Sequence, residues 1–131
     1  MSSPDRTAPE LELATSFTFE ASHQLPHAPE YSKCRRLHGH SWKVEVQVRG
    51  PLQPDTGWVL DFDDVQRACR PVHDALDHRH LNDVDGLDNP TSEIIALWIW
   101  RRLAPEIPGL AAVVVHETCT ARCVYRGPSA P

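Results

Sequence analysis

Two stretches near the start of the chain alternate apolar and polar side chains with period two. Phe17, Phe19, Ala21 and His23 share one parity, and Trp42, Val44, Val46 and Val48 share another, with Lys43, Glu45, Gln47 and Arg49 between them. Side chains of a strand point alternately to its two faces, so the pattern predicts strands over Leu11–His23 and Leu37–Val48, each with one buried face. The loop joining them is rich in Pro and His. Residues 50–57 (Gly-Pro-Leu-Gln-Pro-Asp-Thr-Gly) are turn chemistry. The period then changes. Phe62, Val65, Cys69, Val72 and Leu76 recur at three- and four-residue spacing, which predicts a helix opening at Asp61 or Asp63, kinked or divided by Pro71. A second helix is expected from Asn89-Pro-Thr-Ser-Glu93, where capping side chains, an early proline and an acidic residue coincide, to a stop before Pro105. The apolar run Leu110–Glu117 and its hairpin partner Ala121–Tyr125 complete a β-β-α-α-β-β order. The expectation is an α+β domain with a four-stranded antiparallel sheet and both helices on one face.

The parity of the histidines is the most informative chemical feature. His38 and His40 start the apolar side of the second strand, and His23 ends the apolar side of the first. If these strands pair, three imidazoles converge where an unpartnered polar ring would be costly. Three nitrogen ligands and one open position is the pattern of catalytic zinc, and imidazole suits that ion. Cys34 lies just upstream, in Lys33-Cys-Arg-Arg-Leu-His-Gly-His40. A non-enzymatic reading also exists, in which Cys34, His23, His38 and His40 close a tetrahedral structural site.

Composition narrows the setting. A chain of 131 residues is one domain, and 40% hydrophobic content with scattered charge describes an ordinary globule. No apolar run is long enough for a membrane span. Residues 1–10 read as a disordered tail rather than a signal peptide, and 128–131 as a short C-terminal tail around the 11–127 domain. Four unevenly spaced cysteines without secretory context read as reduced thiols in a cytoplasm, Cys119 and Cys123 as small strand residues. The net charge of −5 argues against a nucleic-acid surface but permits an anionic small substrate beside Lys33, Arg35 and Arg36.

Two further groups stand out. Asp77-His78 has the composition of an acid–base pair, although neighbours on a helix face apart, so pairing requires a helix end. Glu117 shares parity with Val113 and Val115 at the end of an aliphatic strand, so its carboxylate needs either a protein cation or a ligand with paired N–H donors.

Taken in order, Phe-Thr-Phe-Glu-Ala-Ser-His23, Lys-Cys-Arg-Arg-Leu-His-Gly-His40, Gly-Trp-Val-Leu-Asp-Phe62, Leu-Asp-His78, Leu-Asn82, Asn-Pro-Thr-Ser-Glu93 and Glu-Thr-Cys-Thr120 resemble the 6-pyruvoyl-tetrahydropterin synthase superfamily. The likeness runs from Leu11 to Gly127 and leans to the bacterial 6-carboxy-5,6,7,8-tetrahydropterin synthase branch of the queuosine pathway. There Cys34 stands four residues before the first paired histidine and Leu37 directly precedes His38. The resemblance implies zinc at His23, His38 and His40, with Cys34 as proton-abstracting catalyst. It implies a relay of Asp77 with His78, and Glu117 as a catalytic residue and pterin anchor. Thr91, Ser92 and Lys33 are its further substrate contacts. It implies a lyase that converts 7,8-dihydroneopterin triphosphate to 6-carboxytetrahydropterin, acetaldehyde and triphosphate, the animal-type 6-pyruvoyl product being the alternative. It also implies the tunnelling fold, in which subunits join edge to edge into a barrel. A homohexamer of two trimers with interfacial active sites is the expected assembly, and it would protect the strand edges that a four-stranded sheet leaves open.

Overall fold

The structure is a computed structural model that describes residues 8–129; residues 1–7 and 130–131 of the expected tails lie outside the described residues. In chain order it contains β1 (Glu10–His23), β2 (His38–Pro51), α1 (Phe62–Leu76), β3 (Arg79–His80), α2 (Ser92–Leu103), β4 (Leu110–Thr118) and β5 (Ala121–Tyr125), with short 3-10 turns at Lys33–Arg35 and Leu81–Asp83. The α+β class and the two hairpins are as expected. The sheet has five strands rather than four, in the order β3-β1-β2-β4-β5. The additional strand, β3, is two residues long and runs parallel to β1 at Ala21 and Ser22. Two residues carry no readable period. Tertiary structure makes this strand, because the chain leaving α1 is drawn onto β1 when the His78 N–H donates to the Glu20 carbonyl at 2.7 Å.

The period-two pattern does what it predicts. Phe19, Ala21, Trp42, Val44, Val46, Val113 and Val115 form the buried sheet face, against which Val65, Cys69, Val72 and Leu76 of α1 and Ile95, Ile99 and Leu103 of α2 pack. Both helices therefore cover one face, and alternate positions such as Thr18, Glu20 and Lys43 are exposed on the other. Truncating a fully buried aromatic such as Trp42 in this core should cost about 3–5 kcal/mol.

Helix α1 opens on Asp61, whose carboxylate accepts from the Asp63 N–H at 2.9 Å. It runs through Pro71 as one element rather than dividing there. Pro71 and Arg67 are both exposed, so the Arg67 carbonyl that loses its N–H partner turns to water while the buried stripe continues. Phe62 departs from the expected stripe: it is 45% exposed at the helix start, like Trp58 and Leu11. Helix α2 is capped by Thr91, whose hydroxyl accepts from the Ile94 N–H at 3.1 Å. The turn into β4 needs Gly109, which has φ +80° and whose added Cβ would meet the Arg49 carbonyl at 2.6 Å.

Candidate metal centre and active site

His23 is the last residue of β1 and His38 the first of β2, and the antiparallel register sets them directly opposite, with Ala21 opposite His40. The three imidazoles thus meet at one end of the sheet: ring centroids are 4.4 Å apart for His23–His38, 5.2 Å for His23–His40 and 4.8 Å for His38–His40. Trp42, the next residue of the same parity, packs its indole edge-to-face on both His23 and His40, at 5.0 and 5.3 Å. Phe19 stacks beneath Trp42 at 5.8 Å with the rings within 3° of parallel. The rings are held from behind by core aromatics, which limits their rotation.

Backbone carbonyls then select the tautomers. His23 Nδ1 lies 2.9 Å from the Pro90 carbonyl and His38 Nδ1 lies 2.6 Å from the Arg36 carbonyl. A carbonyl oxygen only accepts, so each Nδ1 carries the proton and each Nε2 is left with a lone pair. The Nε2 atoms of His23 and His40 are buried and have no hydrogen-bond partner. Burial is the largest influence on both rings and pushes their pKa values below the ordinary imidazole value. For His23 the Pro90 carbonyl opposes that shift, and for His40 Glu117 does. Imidazole nitrogens gathered within 4.8 Å of one another, two of them buried without a partner, are a donor set that suits a borderline-soft divalent ion. Zinc fits these residues.

Glu117 belongs to the same cluster. Its Oε1 lies 3.4 Å from His23 Nε2 and 3.3 Å from His40 Nε2, and its Oε2 accepts from the Ser92 hydroxyl at 3.2 Å. One donor atom from each of His23, His38, His40 and Glu117 lies within 4.8 Å of the other three. The strand parity that placed Glu117 on the valine face therefore brings it to the imidazoles, and among the described residues no Lys or Arg forms an ion pair with it. Cys34 is outside this donor group. It is half-buried in the turn Lys33–Arg35, where its N–H donates to the Ser32 hydroxyl at 3.1 Å and its carbonyl accepts from the Leu25 N–H at 2.8 Å. All four cysteines are free. Lys33 is exposed beside Cys34, and Arg35 ties the loop by donating to the Ala28 carbonyl at 3.2 Å.

The Asp77-His78 pair sits elsewhere. Asp77 is the C-terminal cap of α1, the helix end that pairing requires, and His78 follows in the left-handed region at φ +56°. A non-glycine residue there is strained by about 1–2 kcal/mol. Asp77 Oδ1 accepts from the Glu20 N–H at 3.0 Å, while its Oδ2 lies 3.7 Å from both His78 Nε2 and His73 Nε2. The Glu20 N–H is the largest influence holding the Asp77 carboxyl below the ordinary carboxylate range; burial opposes it, and the His78 and His73 rings add to it. Among the described residues no hydrogen bond or ion pair joins His78 to Cys34 or to the histidine cluster. His73 and the Pro90 carbonyl were not visible as site features in the sequence. His73 could have been found, since it stands four residues before Asp77 on one helix face.

Residues 12–128 match the family model described as 6-pyruvoyl tetrahydropterin synthase. The chain belongs to that family, and it is an enzyme of it. Over 118 residues it is 47% identical to the 6-carboxy-5,6,7,8-tetrahydropterin synthase of Synechocystis, covering 86% of this chain and 90% of that protein. It is 40% identical over 91 residues to the dihydroneopterin monophosphate aldolase of Pyrococcus furiosus, covering 70% and 76% of the two chains. The fold superposes on the 6-pyruvoyl tetrahydropterin synthase of Caenorhabditis elegans with a TM-score of 0.84 at 28% identity, over 92% of this chain and 98% of that one. The family thus includes members named for different outcomes on related pterins. No helix among the described residues is long and apolar enough to cross a membrane.

Proposed function

We propose that this protein is a zinc-dependent lyase that converts 7,8-dihydroneopterin triphosphate and water to 6-carboxy-5,6,7,8-tetrahydropterin, acetaldehyde and triphosphate, feeding 7-deazapurine synthesis of the queuosine type in the cytoplasm. The observation that carries the reading is the convergence of His23, His38 and His40, two of them with buried Nε2 atoms that lack a partner, while the half-buried Cys34 is not one of the donors. A structural staple would recruit the thiolate as its fourth ligand. Here the thiol is left over for chemistry. The 6-carboxy branch is supported by the spacing of Cys34 and Leu37 ahead of His38 and by the 47% identity to the Synechocystis synthase.

Each residue then has a task. A zinc ion held by His23, His38 and His40 supplies Lewis-acid polarisation to oxygens of the substrate side chain. Cys34, as thiolate, takes a carbon-bound proton. His78, with Asp77 holding its orientation and complementing its charge, moves a proton at a side-chain oxygen. Loss of two carbons as acetaldehyde requires cleavage of the C1′–C2′ bond, and departure of triphosphate makes the intermediate reactive. Ser92, which donates to Glu117, and Thr91, the α2 cap beside it, are assigned to substrate binding, and Lys33, exposed next to Cys34, to the anionic end. Since His78 is 81% exposed and among the described residues has no hydrogen bond or ion pair with Cys34, the working site in this reading takes Cys34 from one subunit and Asp77-His78 from a neighbour, within a hexamer built as two trimers.

The test is direct. Zinc-loaded protein is incubated with 7,8-dihydroneopterin triphosphate, and products are identified by mass spectrometry. Acetaldehyde and 6-carboxytetrahydropterin are expected. Triphosphate with 6-pyruvoyltetrahydropterin and no acetaldehyde would overturn the branch, and no turnover with zinc fully bound would overturn the enzymatic assignment of these residues.

A further inference from the structure

We propose that Glu117 is the fourth ligand of the metal in the resting protein and that the substrate's vicinal hydroxyls displace it. This rests on the metal reading above and deepens it. Bonds of about 2.0–2.1 Å arranged as a tetrahedron set the donor atoms about 3.3–3.4 Å from one another. Glu117 Oε1 stands 3.4 Å from His23 Nε2 and 3.3 Å from His40 Nε2, which is that edge length to two of the three histidines, while the His38 donor lies farther off, within 4.8 Å. The His23 Nδ1 proton is committed to the Pro90 carbonyl at 2.9 Å, so the nitrogen facing Glu117 presents a lone pair to a carboxylate oxygen. A lone pair and a carboxylate oxygen at this separation repel one another unless a cation lies between them, which a metal ion would supply. Ser92 donates to the other carboxylate oxygen at 3.2 Å, which leaves Oε1 alone to face the imidazoles and favours one-oxygen coordination.

The four ligands are not equivalent. His23 is fully buried and carbonyl-locked, whereas the Glu117 side chain is 31% exposed and held by one hydroxyl. It is the ligand that can leave. The open position expected of a catalytic site is therefore created by substrate. The displaced carboxylate remains within reach as an acceptor for the substrate's own N–H or O–H groups, so opening the metal and gripping the pterin become one event.

The experiment compares the wild type with Glu117→Gln and Glu117→Asp, the latter keeping the charge but falling one methylene short. Zinc affinity is measured by competition with a chelator. Cobalt(II) is loaded in place of zinc, and its d–d absorption is recorded with and without 7,8-dihydroneopterin, which carries the diol but no triphosphate. Circular dichroism checks that each variant is folded. Both variants should bind zinc at least about tenfold more weakly, the scale on which even outer-shell partners act. Their cobalt bands should differ from the wild type when the pterin is absent, and the three spectra should converge when it is bound. Equal affinities with identical cobalt bands would overturn the proposal and leave the zinc enzyme intact. Glu117→Asp matching the wild type while Glu117→Gln differs would also overturn it, since charge alone would then suffice. A wild type that binds neither ion would remove the metal reading itself.

Discussion

Along β1 the histidine cluster and the Asp77-His78 pair are anchored only three residues apart, at His23 and Glu20, yet His23 is fully buried and His78 is 81% exposed. The cluster is assembled by the β1–β2 register, reinforced by Trp42 and closed by β4, all within one chain. The pair sits at a sheet edge, where β3 covers only Ala21 and Ser22 and the remaining length of β1 has no strand beyond it among the described residues. A buried polar group must find its partners inside the fold, and these histidines are arranged to share one. An exposed group on an unpaired edge is finished by whatever covers that edge. The same chain thus gathers a complete set of possible metal donors within itself and leaves Asp77-His78 at an open sheet edge.

The sharpest way to break this contrast is complementation. Cys34→Ala and His78→Ala should each lower turnover by about 10²–10⁴-fold, the range for a positioned acid–base group. When the two variants are co-expressed with different tags and purified as mixed oligomers, roughly a quarter of interfacial sites should regain both residues and activity should return in proportion. No recovery in a verified mixed oligomer would mean that both groups act within one chain, and the contrast would dissolve.

The next largest effect tests the finished half. Wild-type protein should purify with about one zinc per chain, and His38→Ala should lose most of it while His78→Ala keeps it. Full occupancy in His38→Ala, read by metal analysis, would dismantle the three-histidine site.

Acid should then distinguish the two halves. In chelator-stripped protein the His23 and His40 pKa values are pushed below 6.5, so just below that pH the unfolded chain binds more protons than the folded one. Stability should be whole above about pH 6.5 and fall as the pH drops through the lower folded values. Asp77 has the same sign but acts only below about 3.8. Bound zinc should shift the acid loss, because protons must first displace it. Thermal melting that is flat from pH 8 to 5 without metal would contradict the burial argument. The smallest effect belongs to Ser92→Ala, which removes one donor to a half-exposed carboxylate and should weaken zinc only severalfold, below about 1 kcal/mol after solvent screening. Unchanged affinity would show that Ser92 does not set the Glu117 rotamer.

Much of the fold was legible because its elements have long periods. The alternation through Phe17–His23 and Trp42–Val48 specified two half-buried strands, and the spacing from Val65 to Leu76 specified α1. What was not legible had no period. β3 is two residues drawn onto β1 by hydrogen bonds between Glu20 and Asp77-His78, Pro71 is tolerated because its lost partner faces water, and Phe62 leaves the stripe at a helix end.

The candidate site divides the same way. By itself the sequence determined that His38 and His40 share a face, that His23 shares one with Phe17 and Phe19, and that Glu117 points with the valines, because side-chain direction in a strand depends only on parity. Tertiary structure decided what parity cannot contain. Register put His23 opposite His38, the Pro90 and Arg36 carbonyls chose the tautomers, and the approach of β4 and α2 turned Glu117 toward the imidazoles with Ser92 at its back. These depend on distances between segments far apart in the chain, which packing sets and no local pattern encodes.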